Sequence, residues 1–327
     1  MKNVNFGDFI FETLSRFMAL SVLVVLVAIF IILYIDAKPA MDSFGIGFLT
    51  GETWAPNMET FGALPSIYGT IISTIIAMTI ATPIAIGIAI FLSEIAHAKI
   101  KGIAGTAIEL LAAIPSVIYG MWGLFYFAPI VRDITGGSGL GLLTGGLILA
   151  IMIVPFTASI TRDSMNTTPD ILKESAYALG ATKWDVIKDV VLPYAKIGVI
   201  GSVILSLGRA LGETMAVTFV MGNAQRIPAS ILEPATSIPV TLANEFTEAD
   251  SDIYYSSLYL LALILFGVSF TIIAIAKFLF LKKERTPFAV QNRLLGCIGE
   301  RGHHEKRGWR IYEQSNKCYR DVWQGCV

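Results

Sequence analysis

The chain has 327 residues, 54% of them hydrophobic and only 15% charged, with a mean hydropathy of +0.68. Soluble domains carry about 25% charged residues, so this composition excludes an ordinary water-solvated globule. The formal net charge of −1 says little about partners, because it hides an uneven distribution of sign along the chain.

Polar residues fall between long apolar runs, and six of these runs are long enough to cross a bilayer. A spanning helix needs roughly 20 apolar residues at ~1.5 Å each to cover a ~30 Å hydrocarbon core. The runs are 17–35, 60–93, 110–131, 134–161, 197–221 and 253–276. The first could be mistaken for a signal peptide. Its apolar stretch is longer than a signal's core and no small-x-small cleavage site follows, so it is read as a span. The fifth differs from the first four in carrying two charges, Arg209 and Glu213. The predicted class is therefore an all-α membrane protein of six transmembrane helices.

Lysine and arginine set the orientation. They populate the amino-terminal segment (Lys2, Arg16), the second loop (Lys99, Lys101) and the fourth loop (Arg162, Lys173, Lys183, Lys188, Lys196). The tail is basic from Lys277 onward, whereas the other loops are dominated by acids such as Asp42, Glu52, Glu245 and Glu248. This asymmetry predicts both termini in the cytoplasm. The chain then divides into residues 1–36 (N-terminal segment and first span), an external loop at 37–65, a core at 66–290 and a tail at 291–327. The core holds five spans and a cytoplasmic loop at 162–196. Cys297, Cys318 and Cys326 all lie in the tail, on the reducing side, where a structural disulfide is not expected. Together with His303 and His304 they match no zinc-ligand spacing, so no metal is predicted and the tail is expected to be disordered.

The loop at 162–196 reads as structured. Thr168, Pro169 and Asp170 supply an N-cap, a proline for the first helical position and an acid for the first turn. That helix runs to Leu179, with Gly180 suited to the left-handed position beyond it. Thr182 and Asp185 have the spacing of a capping box for a second helix through Val190, and Pro193 opens the fifth span. Ile171, Leu179, Trp184, Val186 and Ile187 are available to a partner. A DNA-reading helix-turn-helix would need a more basic face than these five cations set against Asp163, Asp170, Glu174, Asp185 and Asp189.

Glu174-Ser175-Ala176, then Gly180 and finally Leu192-Pro193, resemble the EAA loop of ABC importer permeases, with Ser175 in place of the middle alanine. Residues 110–116, running on to Tyr119-Gly120, and residues 208–217 resemble signatures of phosphate-specific permeases, closer to the PstC type than to the paralogous PstA type. The resemblance covers about residues 10–290 and implies a type I ABC importer permease fold whose loop at 162–196 is a coupling helix pair. It also implies partners: a second permease of PstA type, two ATPases of PstB type and an external phosphate-binding protein of PstS type. No Walker lysine motif occurs, so ATP and Mg belong to the partner ATPase; the chain itself is expected to hold no cofactor and to be no enzyme.

Arg209 and Glu213 are four apart, which places them on one face of a continuous fifth span. Intramembrane charges are expensive and tend to line pathways. Arg209 is thus a candidate donor to a passing phosphate oxygen, with Glu213 holding it between substrates, against the alternative of a self-neutralising structural pair. Ser116 and Thr214 are further pathway candidates, as are Thr157 and Ser206, although intramembrane hydroxyls commonly bond the backbone or a neighbouring helix. Ser202, Ser206 and Ala210, and likewise Gly208, Gly212 and Ala216, form small-residue ridges that predict a central fifth span. Pro83, Pro115 and Pro155 allow kinks. Molybdate, sulfate or phosphonate remain open as substrates, and a secondary transporter, a channel or a non-transporting membrane sensor remain as other classes.

Overall fold

The structure, a computed structural model, describes residues 6–281, and the described residues are almost wholly helical. By contacts the chain divides into a unit ending at Ile273 and a second beginning at Ala274, of which only the last helical residues are described. The expectations for the tail at 291–327, including its cysteines, lie outside the described residues.

Helix α1 (Phe6–Phe44) continues well past the expected end of the first span and takes in Pro39. The predicted loop at 37–65 therefore begins as helix, and its remainder holds a short helix α2 (Gly47–Thr50). Helix α3 (Leu64–Ile90) ends in a π turn over Phe91–Ile95. The third apolar run is not one straight helix. Helix α4 (Ala98–Ala112) stops at residues 113–115, and the chain turns by 89° into α5 (Ser116–Trp122). A π turn at Gly123–Phe127 then leads into α6 (Ala128–Thr135). Proline disfavours the helical conformation of the residue before it, which accounts for an elbow at Ile114-Pro115. Pro83 and Pro155, by contrast, sit inside unbroken helices.

Helix α7 (Leu142–Asn166) starts later than the fourth run, because the glycine-rich stretch at 136–141 is a turn. Two short helices come next, α8 (Asp170–Ala178) and α9 (Lys183–Val186), the second passing through a π turn at Ile187–Val191 into α10 (Leu192–Leu211). The fifth run then breaks at residues 212–214 before α11 (Met215–Val220). A loop containing α12 (Ile238–Glu245) leads to the last helix, α13 (Asp252–Leu281). Among the described residues five helices are long and apolar enough to cross a membrane, and the bent α4–α6 pair makes a sixth.

The core follows the small-residue ridges. Helix α7 packs most extensively on α3 and then on α10, so the fourth span is the centre of the bundle. The expectation of a central fifth span is corrected, because α10 turns only its small-residue face to α7 and α3. Ser202, Ser206 and Ala210 are all buried on α10, and Ala77, Ala81, Ala85 and Ala89 are fully buried along α3. Helix α1 is the reverse: its most apolar stretch buries none of its residues within the chain, and among its described side chains only Ala37 and Ala40, near its C-terminal end, are buried. A helix apolar all round and unburied is suited to lipid or to another subunit.

Candidate functional site

The break after α10 decides the geometry of the predicted charges. Arg209 lies in the last turn of α10, whereas Glu213 lies in the non-helical link. The expectation that both share one helical face is thereby corrected, and no ion pair joins them among the described residues. Gly212 ends the helix here and the carboxylate turns to the next one: Glu213 Oε1 accepts from the Ala216 amide at 3.2 Å, serving an otherwise unpaired N–H of α11. The Arg209 guanidinium instead lies over the Phe156 ring, 5.0 Å from its centroid.

Phe156 is the fifteenth of the 25 residues of α7. At ~1.5 Å per residue it stands about 21 Å from one end of that helix and about 15 Å from the other, so the guanidinium is held near mid-span. The two interrupted helices meet beside it. Helices α5 and α11 pack together, and a Cβ on Gly120 would lie 2.9 Å from the Ala216 Cα, so only glycine permits this approach. Tyr119 Oη donates to the Leu111 carbonyl at 2.9 Å, tying the two arms of the elbow.

The four hydroxyl candidates separate into two kinds. Thr157 and Ser206 are buried and bonded to each other at 2.6 Å, and Thr161 and Ser202 repeat the arrangement one turn away at 2.7 Å. These are ties between α7 and α10. Ser116, at the start of α5, and Thr214, at the start of α11, are each only partly buried. Thr214 Oγ1 makes one long contact, to the Gly212 carbonyl at 3.4 Å. The structure thus brings Arg209 to Phe156, which no periodicity singled out.

At the end of the bundle carrying α8 and α9, the sequence signals are realised closely. Gly180 has φ +86°, the left-handed conformation expected of it. Thr182 and Asp185 form a reciprocal capping box, with the Thr182 amide donating to Asp185 Oδ2 at 3.0 Å. Thr168 does not cap α8: Pro169 holds that position, and the Thr168 Oγ1 is buried without a partner. Glu174 and Ser175 are exposed, and Ser175 bonds back to the Ile171 carbonyl at 2.6 Å. Ala176 packs inward against the buried cluster of Met165, Val186, Val191 and Ala195. Leu192 is partly buried and joins the same cluster, while Pro193 is exposed at the first turn of α10. Ile171, Leu179 and Trp184 are exposed, Leu179 at 90%, and form an unpartnered apolar face. Val186 and Ile187 were expected on that face too, but both are buried, because the capping box turns them toward the bundle.

The opposite end is closed by a polar network that the sequence does not announce. Glu245 Oε2 accepts from Trp54 Nε1 at 3.1 Å and from the Tyr254 hydroxyl. Thr241 Oγ1 lies 3.0 Å from the hydroxyls of both Ser66 and Thr236. Helix α12 is thereby folded into the bundle rather than left as a free loop, with Ile238 to Thr241 buried.

A family model described as binding-protein-dependent transport system inner membrane component matches residues 85–280. A Mesorhizobium japonicum protein described as phosphate transport system permease protein PstC is 50% identical over 295 residues, covering 84% of this chain and 90% of that one. A Pasteurella multocida protein of the same description is 45% identical over 298 residues, covering 85% and 93%. Among solved structures, a bacterial alginate ABC transporter in complex with a pentasaccharide-bound periplasmic protein contains a similar chain. It aligns with TM-score 0.60 over 86% of this chain and 98% of its own, at 14% identity, a likeness of fold alone.

Proposed function

This chain belongs to the binding-protein-dependent transport system inner membrane component family, and on that premise we propose that it is a permease subunit of an ATP-driven importer of inorganic phosphate. Such subunits form a multi-pass path through the membrane and are not themselves enzymes. The observation that carries the phosphate reading is the extensive identity to phosphate permeases, 50% in the Mesorhizobium japonicum relative.

Arg209 is proposed as the residue that meets the anion. A charged side chain at mid-membrane costs roughly 2.5–3.5 kcal/mol on insertion scales. Its cation–π contact with Phe156 offsets part of that, on the order of 0.5–2 kcal/mol. No carboxylate neutralises it among the described residues, which leaves the guanidinium available to phosphate oxygens. Ser116 and Thr214, each partly buried at the start of a half-helix, add hydroxyls to that route, and Glu213 keeps the break ordered through Ala216.

Helices α8 and α9 are proposed to dock on an ATPase subunit through Ile171, Leu179 and Trp184. Glu174, Ser175, Ala176, Gly180, Leu192 and Pro193 set the shape of that element. On this reading α8 and α9 face the cytoplasm, and the lysine and arginine distribution supports assigning both chain termini to the same side. ATP and Mg bind the ATPase, and the end closed by α12 faces an external phosphate-binding protein. A second permease covers part of the exposed surface. Affinity purification of the tagged chain from detergent-solubilised membranes, with identification of the retained subunits and phosphate uptake by the reconstituted complex, tests the assignment. Retention of no ATPase, or uptake of another oxyanion in preference to phosphate, would overturn it.

A further inference from the structure

Helix α8 buries none of its nine residues, so its hold on the bundle is slight. Among the described residues, Lys173 is the one α8 side chain that hydrogen-bonds outside its own helix: Nζ donates to Glu94 Oε1 at 2.7 Å. The pair is shielded, with side-chain exposures of 17% for Lys173 and 9% for Glu94. An exposed ion pair would contribute little, but a shielded pair that loses one partner strands a charge.

Glu94 owes its position to the π turn at Phe91–Ile95, where α3 ends. A π turn holds one residue more than an α turn, so it rotates the residues after it by about 100° relative to an uninterrupted helix. Neighbouring Ser93 is also used: its carbonyl accepts from Lys101 Nζ at 3.0 Å and its hydroxyl donates to Met165 Sδ at 3.5 Å. The ends of α3 and α7 and the start of α10 converge here on Ala89, Met165, Val191 and Ala195. Helix α3 in turn packs along α7 and α10, the helices bearing Phe156 and Arg209.

We propose that the Lys173–Glu94 ion pair is a positioning contact that carries displacement of α8 directly into α3, so that movement of a docked ATPase reaches the α3–α7–α10 core. This rests on the reading of α8 and α9 as docking helices. Without the pair, α8 meets the described chain through its chain ends, α9 and the π turn at Ile187–Val191, where Ala176 packs.

The test uses the complete complex with its binding protein in proteoliposomes, supplied with inorganic phosphate and ATP, and reads phosphate imported per ATP hydrolysed. Lys173→Met and Glu94→Gln are each expected to retain the ATPase subunit and to lower that ratio by about tenfold, since each strands a charge. Lys173→Arg should keep the ratio, and the swap of Lys173→Glu with Glu94→Lys should recover most of it. An unchanged ratio in both neutral variants overturns the proposal, as does loss of the ATPase subunit from Lys173→Met, which would make the pair a docking contact instead. Leu179→Asp, on the exposed face, separates the two levels. If that variant keeps the ATPase subunit as wild type does, the docking reading fails independently of the ion pair.

Discussion

Removing the Arg209 guanidinium tests the pathway most directly. Arg209→Ala deletes a mid-span charge that lies over an aromatic face 5.0 Å away. Hydrogen bonds to charged groups contribute about 1.5–3 kcal/mol, so losing one to a passing phosphate should slow transport by roughly one to two powers of ten at limiting phosphate. Stability should not suffer in proportion: the cation–π contact is worth about 0.5–2 kcal/mol, and removing an intramembrane charge returns roughly 2.5–3.5 kcal/mol of insertion cost. Arg209→Lys keeps the charge but loses the planar fork and should fall between. The charge exchange of Arg209→Glu with Glu213→Arg should stay inactive, because no ion pair between these residues exists to be restored. Like charges ~4 Å apart at an effective dielectric near 20 repel by about 4 kcal/mol, enough to close the route to an anion. The assay is phosphate uptake by equal amounts of assembled complex in proteoliposomes. Uptake by Arg209→Ala within about twofold of wild type, or recovery in the exchanged variant, would refute the reasoning, since neither leaves room for a loss of one to two powers of ten.

Three further outcomes are expected. Gly180→Val forces a β-branched side chain into φ +86°, a strain of about 1–3 kcal/mol, and should abolish uptake while the subunit still inserts; full uptake would show that the turn need not be left-handed. Thr157→Val and Ser206→Ala should each cost about 0.6 kcal/mol, and at most about 1.7 kcal/mol, in detergent unfolding with uptake largely kept, since these hydroxyls tie α7 to α10; loss of uptake at unchanged stability would return them to the pathway. Gly69→Ala would put a Cβ 1.7 Å from the Thr236 carbonyl oxygen, so the variant should displace α12 and lower the yield of assembled complex, and normal yield would contradict the close seating of α12 on α3.

The sequence by itself determined whatever depends on local chemistry. Run lengths gave the number of candidate spans, because hydrocarbon thickness sets a minimum that composition meets or misses. They did not give the bounds of the first, third and fifth, where helices extend beyond the apolar run or break within it. Gly180 and the Thr182–Asp185 box were legible because turn and cap energetics act within four residues. The ridge of Ser202, Ser206 and Ala210 foretold the buried face of α10 because helical period turns spacing into a face, but that α7 rather than α10 would be central was not legible there. Tertiary structure decided the rest. Spacing alone made Arg209 and Glu213 neighbours, but that holds only while the helix continues, and the break at residues 212–214 sends one to Phe156 and the other to Ala216. Val186 and Ile187 read as apolar and available, yet packing against the bundle claims both. Lys173 with Glu94, and Glu245 with Trp54, join residues far apart in sequence. No local pattern encodes such a pair, because each partner is satisfied only once separate helices have docked and withdrawn both groups from solvent.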